Sequence, residues 1–238
     1  RKTMIREEDF PFLAEKGHVV SLVGGGGKTT LMYAMAAHCA RKGWRVLVAT
    51  TTHIMQPSGG VWAQTAAQRD ALWSGGHYAV SGTAASGGKL TMPPVGQLER
   101  WMKQADLALL EADGAKQMPC KAPAGHEPVI LPQCDIVLAV AGASALGRPL
   151  NEVCFRAEIA AELLGSPLDA ELTPFSLAKL LASEKGGRRA AAGRAFYAVL
   201  NQADEGQWHR LAEQTACILR EIYGISCVLT HFEKEERA

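Results

Sequence analysis

Near-continuous apolar runs bounded by polar turns recur along this chain: "HVVSLV", "WRVLVATTT", "ADLALLEADGAK", "CDIVLAVAG", "AFYAVLNQAD" and "SCVLTHF". Strands without polar alternation suit burial on both faces of a parallel sheet. Stretches of helical period separate them: about Thr29 to Lys42, closed by Gly43, then "VGQLERWMKQ", "EVCFRAEIAAELLG", "FSLAKLLASEKGG" and "GQWHRLAEQTACILREIYG". This alternation predicts an α/β fold, a mostly parallel doubly wound sheet flanked by helices. Residues 5–16 predict a short amphipathic helix. Between about 54 and 104 the pattern is less regular: a helix at "WAQTAAQRDALWSG", then a β-hairpin of "HYAVSG" and "KLTMP" joined by "TAASGG". That segment is read as an insertion in a single domain covering residues 1–238. "QMPCKAPAGHEPVILP" is expected to be a long turn too polar for the core, and the tail "EKEERA" to fray.

Doubly wound sheets bind ligands beyond the carboxyl ends of their strands, and four of these strand ends carry polar motifs. The first strand runs into Gly24, Gly25, Gly26 and Gly27, then Lys28, Thr29 and Thr30 at the start of a helix. Glycines allow backbone N–H groups to wrap a polyphosphate, the lysine neutralises its oxygens, and the adjacent hydroxyl can hold Mg²⁺. The full P-loop spacing would place a glycine at position 22, where this chain has Leu22; the match is to a shorter G-x-x-G-K-T-T, a spacing also found in Mur-type ligases. The third strand ends in Glu111 and Asp113, two residues apart and so on one side of an extended chain, as in a Walker B strand. The second ends in Thr50, Thr51, Thr52 and His53, where threonine is equally a good strand residue. The fifth ends in "LNQAD", similar to the N-K-x-D guanine-reading motif but with Gln202 in place of lysine. Asn201 and Asp204 are then candidates to read a base, or simply the residues of a turn. Lys116, Lys121, His126 and Glu127 crowd a proline-stiffened loop suited to a second substrate or a partner, or a plain surface excursion.

Composition narrows the field. Lys plus Arg number 25 against 24 Asp plus Glu, so no field of one sign favours nucleic acid or a membrane surface. No apolar stretch is long enough to span a bilayer. Six cysteines without metal-ligand or redox spacing are expected to be free thiols in a reducing cytoplasm. Cys120 stands apart because its loop is polar, which opens a chemical role beside that of an inert thiol.

Taken together, "SLVGGGGKTTLM", "VLVATTTHI", "LLEADGAKQMPCKAPAGHEPVI", "GASALGRPL" and "LNQAD" resemble, in that order, the YqeC-type proteins, named as accessory proteins of selenium-dependent molybdenum hydroxylases. The resemblance covers about residues 15–205, and its most specific part runs from "EADGAK" to "HEPVI". It implies a P-loop NTPase fold and a role in maturing or inserting a selenium- or molybdenum-containing cofactor, with a molybdenum hydroxylase or its assembly proteins as partners. The motif order is also similar to the nucleotide-dependent metallocentre chaperones of urease and hydrogenase, which implies a homodimer around bound nucleotide. Three functions remain open at this point. One is a Mg²⁺-dependent NTPase using ATP or GTP, in which Lys28 binds phosphate, Thr29 with Glu111 or Asp113 holds the metal, and Asp204 reads the base. The second is a phosphoryl- or nucleotidyl-transferring enzyme acting on a pterin-type small molecule. The third is a nucleotide-binding scaffold that does not hydrolyse.

Overall fold

The computed structural model describes residues 4–189, 191–204 and 206–231, so the tail from Glu233 lies outside the described residues. Its elements, in chain order, are β1 (His18–Gly24), α1 (Lys28–Arg41), β2 (Val46–Thr50), β3 (His53–Met55), α2 (Ala66–Ser74), β4 (Ala79–Val80), β5 (Thr83–Ala85), β6 (Lys89–Thr91), α3 (Val95–Gln104), β7 (Leu107–Glu111), β8 (Cys120–Lys121), β9 (Ile136–Gly142), α4 (Leu150–Val153), β10 (Cys154–Phe155), α5 (Ala157–Leu164), α6 (Pro174–Ala182), β11 (Ala195–Asn201), α7 (Gln207–Tyr223) and β12 (Cys227–Leu229). Seven strands form one sheet in the order β12-β11-β9-β1-β7-β2-β4. Every pairing in it is parallel.

The continuous apolar runs are explained by burial on both faces. On β7, Leu107 and Leu109 pack toward α1 with Val20, Leu22, Leu31 and Met35. Ala108 and Leu110 pack on the opposite face against Leu98, Trp101 and Met102 of α3. On β9, Ile136, Leu138 and Val140 join the α1 side, while Val137, Ala139 and Ala141 meet a cluster built with α5, α6 and α7. The two-residue period of a strand divides each run between two cores. The i, i+3, i+4 spacing of Leu98, Trp101 and Met102 gives α3 its single buried stripe.

The insertion differs from its expected form. Ala79–Val80 does not enter a hairpin; it extends the main sheet beside β2. The hairpin is formed by β5 and β6 around "SGG", and β3 completes a small antiparallel sheet in the order β3-β6-β5. The turn chemistry was legible, but two-residue strands carry no periodic signal to set register. Residues 5–16 hold a short 3-10 turn at Pro11–Ala14 rather than a helix of that length. The "QMPCKAPAGHEPVILP" segment is not excluded from the core either: Cys120, Lys121, Ala122 and Glu127 are buried. Cys120 and Lys121 pair in parallel with Cys154 and Phe155, so β8 and β10 make a second short ribbon. No helix among the described residues is long and apolar enough to cross a membrane.

Candidate functional site

The glycine–lysine turn sits where β1 meets α1, at the carboxyl edge of the sheet and flanked by the ends of β7 and β9. It is wedged tightly. Gly26 takes a left-handed φ of 67°, and a Cβ there would overlap the backbone of Ala141 and Gly142. A Cβ on Gly25 would come within 2.6 Å of Met118 O. The glycine N–H groups have protein partners: Gly24 N–H donates to the Asp113 carboxylate at 3.0 Å, Gly25 N–H to Val140 O at 2.9 Å and Gly26 N–H to Met118 O at 3.0 Å. The expected cradle of glycine amides is thus narrowed. The donors that a helix start leaves without intrahelical partners belong to its first turn, and here the first backward bond is Leu31 N–H to Gly27 O.

Lys28 and Thr29, the first residues of α1, bind the turn to the end of β7. Lys28 Nζ lies 3.2 Å from Asp113 Oδ1, 3.7 Å from Glu111 Oε1 and 2.5 Å from Gly24 O, with only 4% of the residue exposed. Thr29 Oγ1 donates to Glu111 Oε2 at 2.6 Å. Both acidic residues therefore reach the lysine, but differently. Asp113 accepts from Gly24 N–H and also pairs with Lys121 Nζ at 3.0 Å. Lys121 continues to Glu127 at 2.8 Å, and Glu127 to Arg156 Nη1 at 2.6 Å. Lys28, Asp113, Lys121 and Glu127 thus form a buried chain of alternating charge that ends on half-buried Arg156. Burial raises the Glu111 carboxyl above its ordinary range despite Lys28 and Thr29 beside it. Burial pushes Glu127 the same way, but its hydrogen bonds with Lys121 and Arg156 outweigh that and leave it lowered.

Of these groups Lys28, Thr29, Glu111, Glu127 and Arg156 line a cavity of about 1000 Å³, with Gly25–Gly27, Thr30, Thr52, His53, Lys89, Lys116, His126, Arg148, Phe155 and Gln202; Asp113 and Lys121 lie behind its wall. Among the described residues, four that are not glycine have a positive φ: Lys116 (47°), Gln117 (62°), Arg156 (63°) and Gln202 (61°). All four line this cavity. Such backbones cost about 1–3 kcal/mol each and cluster where a site over-determines them.

The remaining candidates divide. Thr52, His53, Lys116, His126 and Glu127 reach the cavity wall, whereas Thr51 Oγ1 donates to Val129 O at 2.7 Å and ties down the loop. Asn201 faces the turn: its Nδ2 donates to Gly26 O at 2.8 Å and Gly27 O at 3.2 Å, while its Oδ1 accepts from Thr230 Oγ1 at 2.5 Å. Both ends of that amide serve the protein, leaving half-buried Asp204 as the base-reading candidate. Cys120 is buried in β8 rather than set in a polar loop, and its hydrogen bond with Cys154, together with burial, raises its thiol well above the ordinary value. It is held protonated and is a poor nucleophile. Phe155 and Arg156 were missed because "EVCFRAE" was read as helix; the run Val153–Phe155 had the β-favouring composition that breaks it.

The family model of the YqeC protein matches residues 20–158. The chain belongs to the YqeC family. The uncharacterized protein YqeC of Escherichia coli (strain K12) is 33% identical over 177 residues, which cover 71% of this chain and 69% of that protein. The matched segment runs from β1 to the start of α5 and so holds the glycine turn, Glu111 at the end of β7 and Asp113 just after it, the Lys116–Glu127 loop and Arg156.

Proposed function

We propose that this YqeC-family chain binds a nucleoside triphosphate and hydrolyses it with Mg²⁺, in the service of assembling the cofactor of selenium-dependent molybdenum hydroxylases. One observation carries the nucleotide reading. Lys28 and Thr29 open a helix at the carboxyl edge of a parallel sheet, and each meets a carboxylate from the end of the neighbouring strand. A triphosphate needs that combination of a cation, helix N–H donors and a hydroxyl–carboxylate pair.

Lys28 would neutralise the terminal phosphate oxygens, and the N–H groups of the first turn of α1 would hold the phosphates. Thr29 and Glu111 are the residues that fit Mg²⁺, which when bound would offset charge on the phosphates. The described residues contain no group of three or more His, Cys, Asp or Glu suited to hold a metal by themselves. That suits an ion which takes one or two protein oxygens and completes its shell with phosphate and water. Asp113 is a positioning residue: its oxygens hold Lys28, Lys121 and the Gly24 amide. Positioning and charge stabilisation supply the catalysis, so no covalent nucleophile is required. The cofactor-assembly role is supported by the resemblance to the accessory proteins alone.

The test is phosphate release from ATP, GTP and CTP by the intact chain and by Lys28→Ala. Mg²⁺-dependent release is expected, with nucleotide binding lost in the variant while it stays folded. Unchanged affinity in Lys28→Ala would remove the phosphate assignment, and no hydrolysis of any of the three would leave a binding scaffold.

A further inference from the structure

The charges around the cavity do not balance. Within the buried network, Lys28, Lys121 and Arg156 face Glu111, Asp113 and Glu127, three against three. The cavity wall adds Lys89, Lys116 and Arg148. Arg148 has a loose pair with Glu152 at 3.5 Å. Lys89 and Lys116 form no ion pair with any carboxylate among the described residues.

All three of these added cations are exposed, and Lys116 is held beside an aromatic ring. Lys116 Nζ lies 5.0 Å from the centre of the Phe155 ring, Arg156 Cζ 4.3 Å and Lys121 Nζ 5.9 Å, so one aromatic ring gathers three cations. Lys116 and Arg156 reach it only through left-handed backbones. Arg156 hydrogen-bonds Glu127 through Nη1, and a guanidinium has further donors in its planar fork. The small sheet also lines the cavity: Met55 and Lys89 are directly paired across β3 and β6, and His53 lies on the same face as Met55. Ile54 and Leu90 point the other way into the core.

The small sheet stands apart from the base side of the cavity: Gln202 follows β11, on the β9 side of β1, whereas the small sheet follows β2, on the other side. The loop that carries Lys116 starts after β7 and crosses the glycine turn to β9, where Gly142 N–H donates to Pro119 O at 2.7 Å. A base laid toward Asp204 and Gln202 leaves the β7–β2 side open. The cavity of about 1000 Å³ is at the upper end of the roughly 300–1,000 Å³ of small-molecule sites and continues past the glycine turn to Met55 and Lys89.

We propose that the part of the cavity between the Lys116–Phe155–Arg156 cluster and Lys89 binds a second, anionic small molecule bearing a carboxylate or phosphate group, beside the terminal phosphate of the nucleotide. This rests on α1 being the triphosphate site, and the experiment separates the two. Protein saturated with Mg²⁺ and a non-hydrolysable triphosphate is titrated calorimetrically with citrate and, separately, with inorganic phosphate. One-to-one binding of at least one probe is expected: citrate alone marks a carboxylate ligand, phosphate alone a phosphorylated one. Lys116→Met and Lys89→Met should each weaken it about tenfold, the worth of a charged hydrogen bond, with triphosphate affinity unchanged. Absence of binding, binding indifferent to both variants, or displacement of the triphosphate by the probe overturns the proposal. If the triphosphate itself does not bind, the nucleotide reading falls. The same titration of the free protein then decides the anion site: loss of probe binding in Lys116→Met and Lys89→Met upholds it, and indifference removes it.

Discussion

Strand β7 carries an aspartate near each end, and the two have opposite surroundings. Asp106, just before the strand, accepts from Arg45 N–H at 2.8 Å, meets Arg45 Nη2 at 3.0 Å and lies 3.4 Å from Lys16 Nζ. Both cations there are about half exposed, at 54% and 55% of their side chains. Asp113, just after the strand, pairs with Lys28 and Lys121, whose side chains are 3% and 1% exposed. The lower cluster is a solvent-screened staple that fastens β7 to the chain entering β2. The upper one takes several full charges out of water, which costs more than an apolar replacement of the same volume would. The upper cluster lies at the carboxyl edge, where ligands of such sheets bind, which fits the chemistry proposed for it.

The comparison is broken most directly by removing each aspartate. Asp113→Ala leaves buried Lys28 with only Glu111 at 3.7 Å and buried Lys121 with only Glu127 at 2.8 Å, and is expected to cost about 3 kcal/mol in urea unfolding, the low end for breaking a buried pair. Asp106→Asn is expected to cost about 1–2 kcal/mol at neutral pH, discounted for screening around exposed Arg45. Equal costs would mean that the upper cluster is as well solvated as the lower. The lower effect also has a pH signature. The hydrogen bond from Arg45 holds the Asp106 carboxyl at about 2, below its ordinary 3.8. A lowered folded pKa gives stability that is present above 3.8 and lost as pH falls through about 2. Wild type and Asp106→Asn should therefore converge in acid.

Glu111→Gln has the smallest expected effect on folding and sharpens the contrast. Burial raises this carboxyl, so its ionised form is penalised in the folded state once pH exceeds the unfolded value of 4.5. Replacing it should leave stability at neutral pH unchanged or raise it by up to about 1 kcal/mol, while abolishing Mg²⁺-dependent phosphate release. A large loss of stability would make Glu111 a structural residue like Asp113.

The sheet and the edge that carries the site were legible because parallel strands buried on both faces leave uninterrupted apolar runs, each ending at its polar motif. Glu111 and Lys28 stood out by type and spacing at two strand ends, and the adjacency of β1 and β7 brings them within 3.7 Å of each other. The rest depended on contacts between distant segments. Nothing local shows that Cys120–Lys121 pairs with Cys154–Phe155, because a ladder of two residues has no period. The charge chain from Asp113 to Arg156 follows from that pairing and was hidden with it. Asn201 looked like half of a base-reading motif, and only its distances to Gly26 and Gly27 show an amide that fastens the turn. The cations beside Phe155 depend on left-handed backbones at Lys116 and Arg156, which neither residue type favours.

Four successive glycines would suggest the most pliable point in the molecule, yet their surroundings make this turn behave like a keystone. The amides of Gly24, Gly25 and Gly26 are engaged from two sides: Asp113 and Met118 of the connection between β7 and β8, and Val140 of β9. Each amide has its own acceptor, so freeing the turn means breaking all three bonds. Amide exchange across these glycines is accordingly expected to be as slow as in the strands they join. Rearrangement on ligand entry then falls to the exposed Lys116–Gln117 bend in the cavity wall.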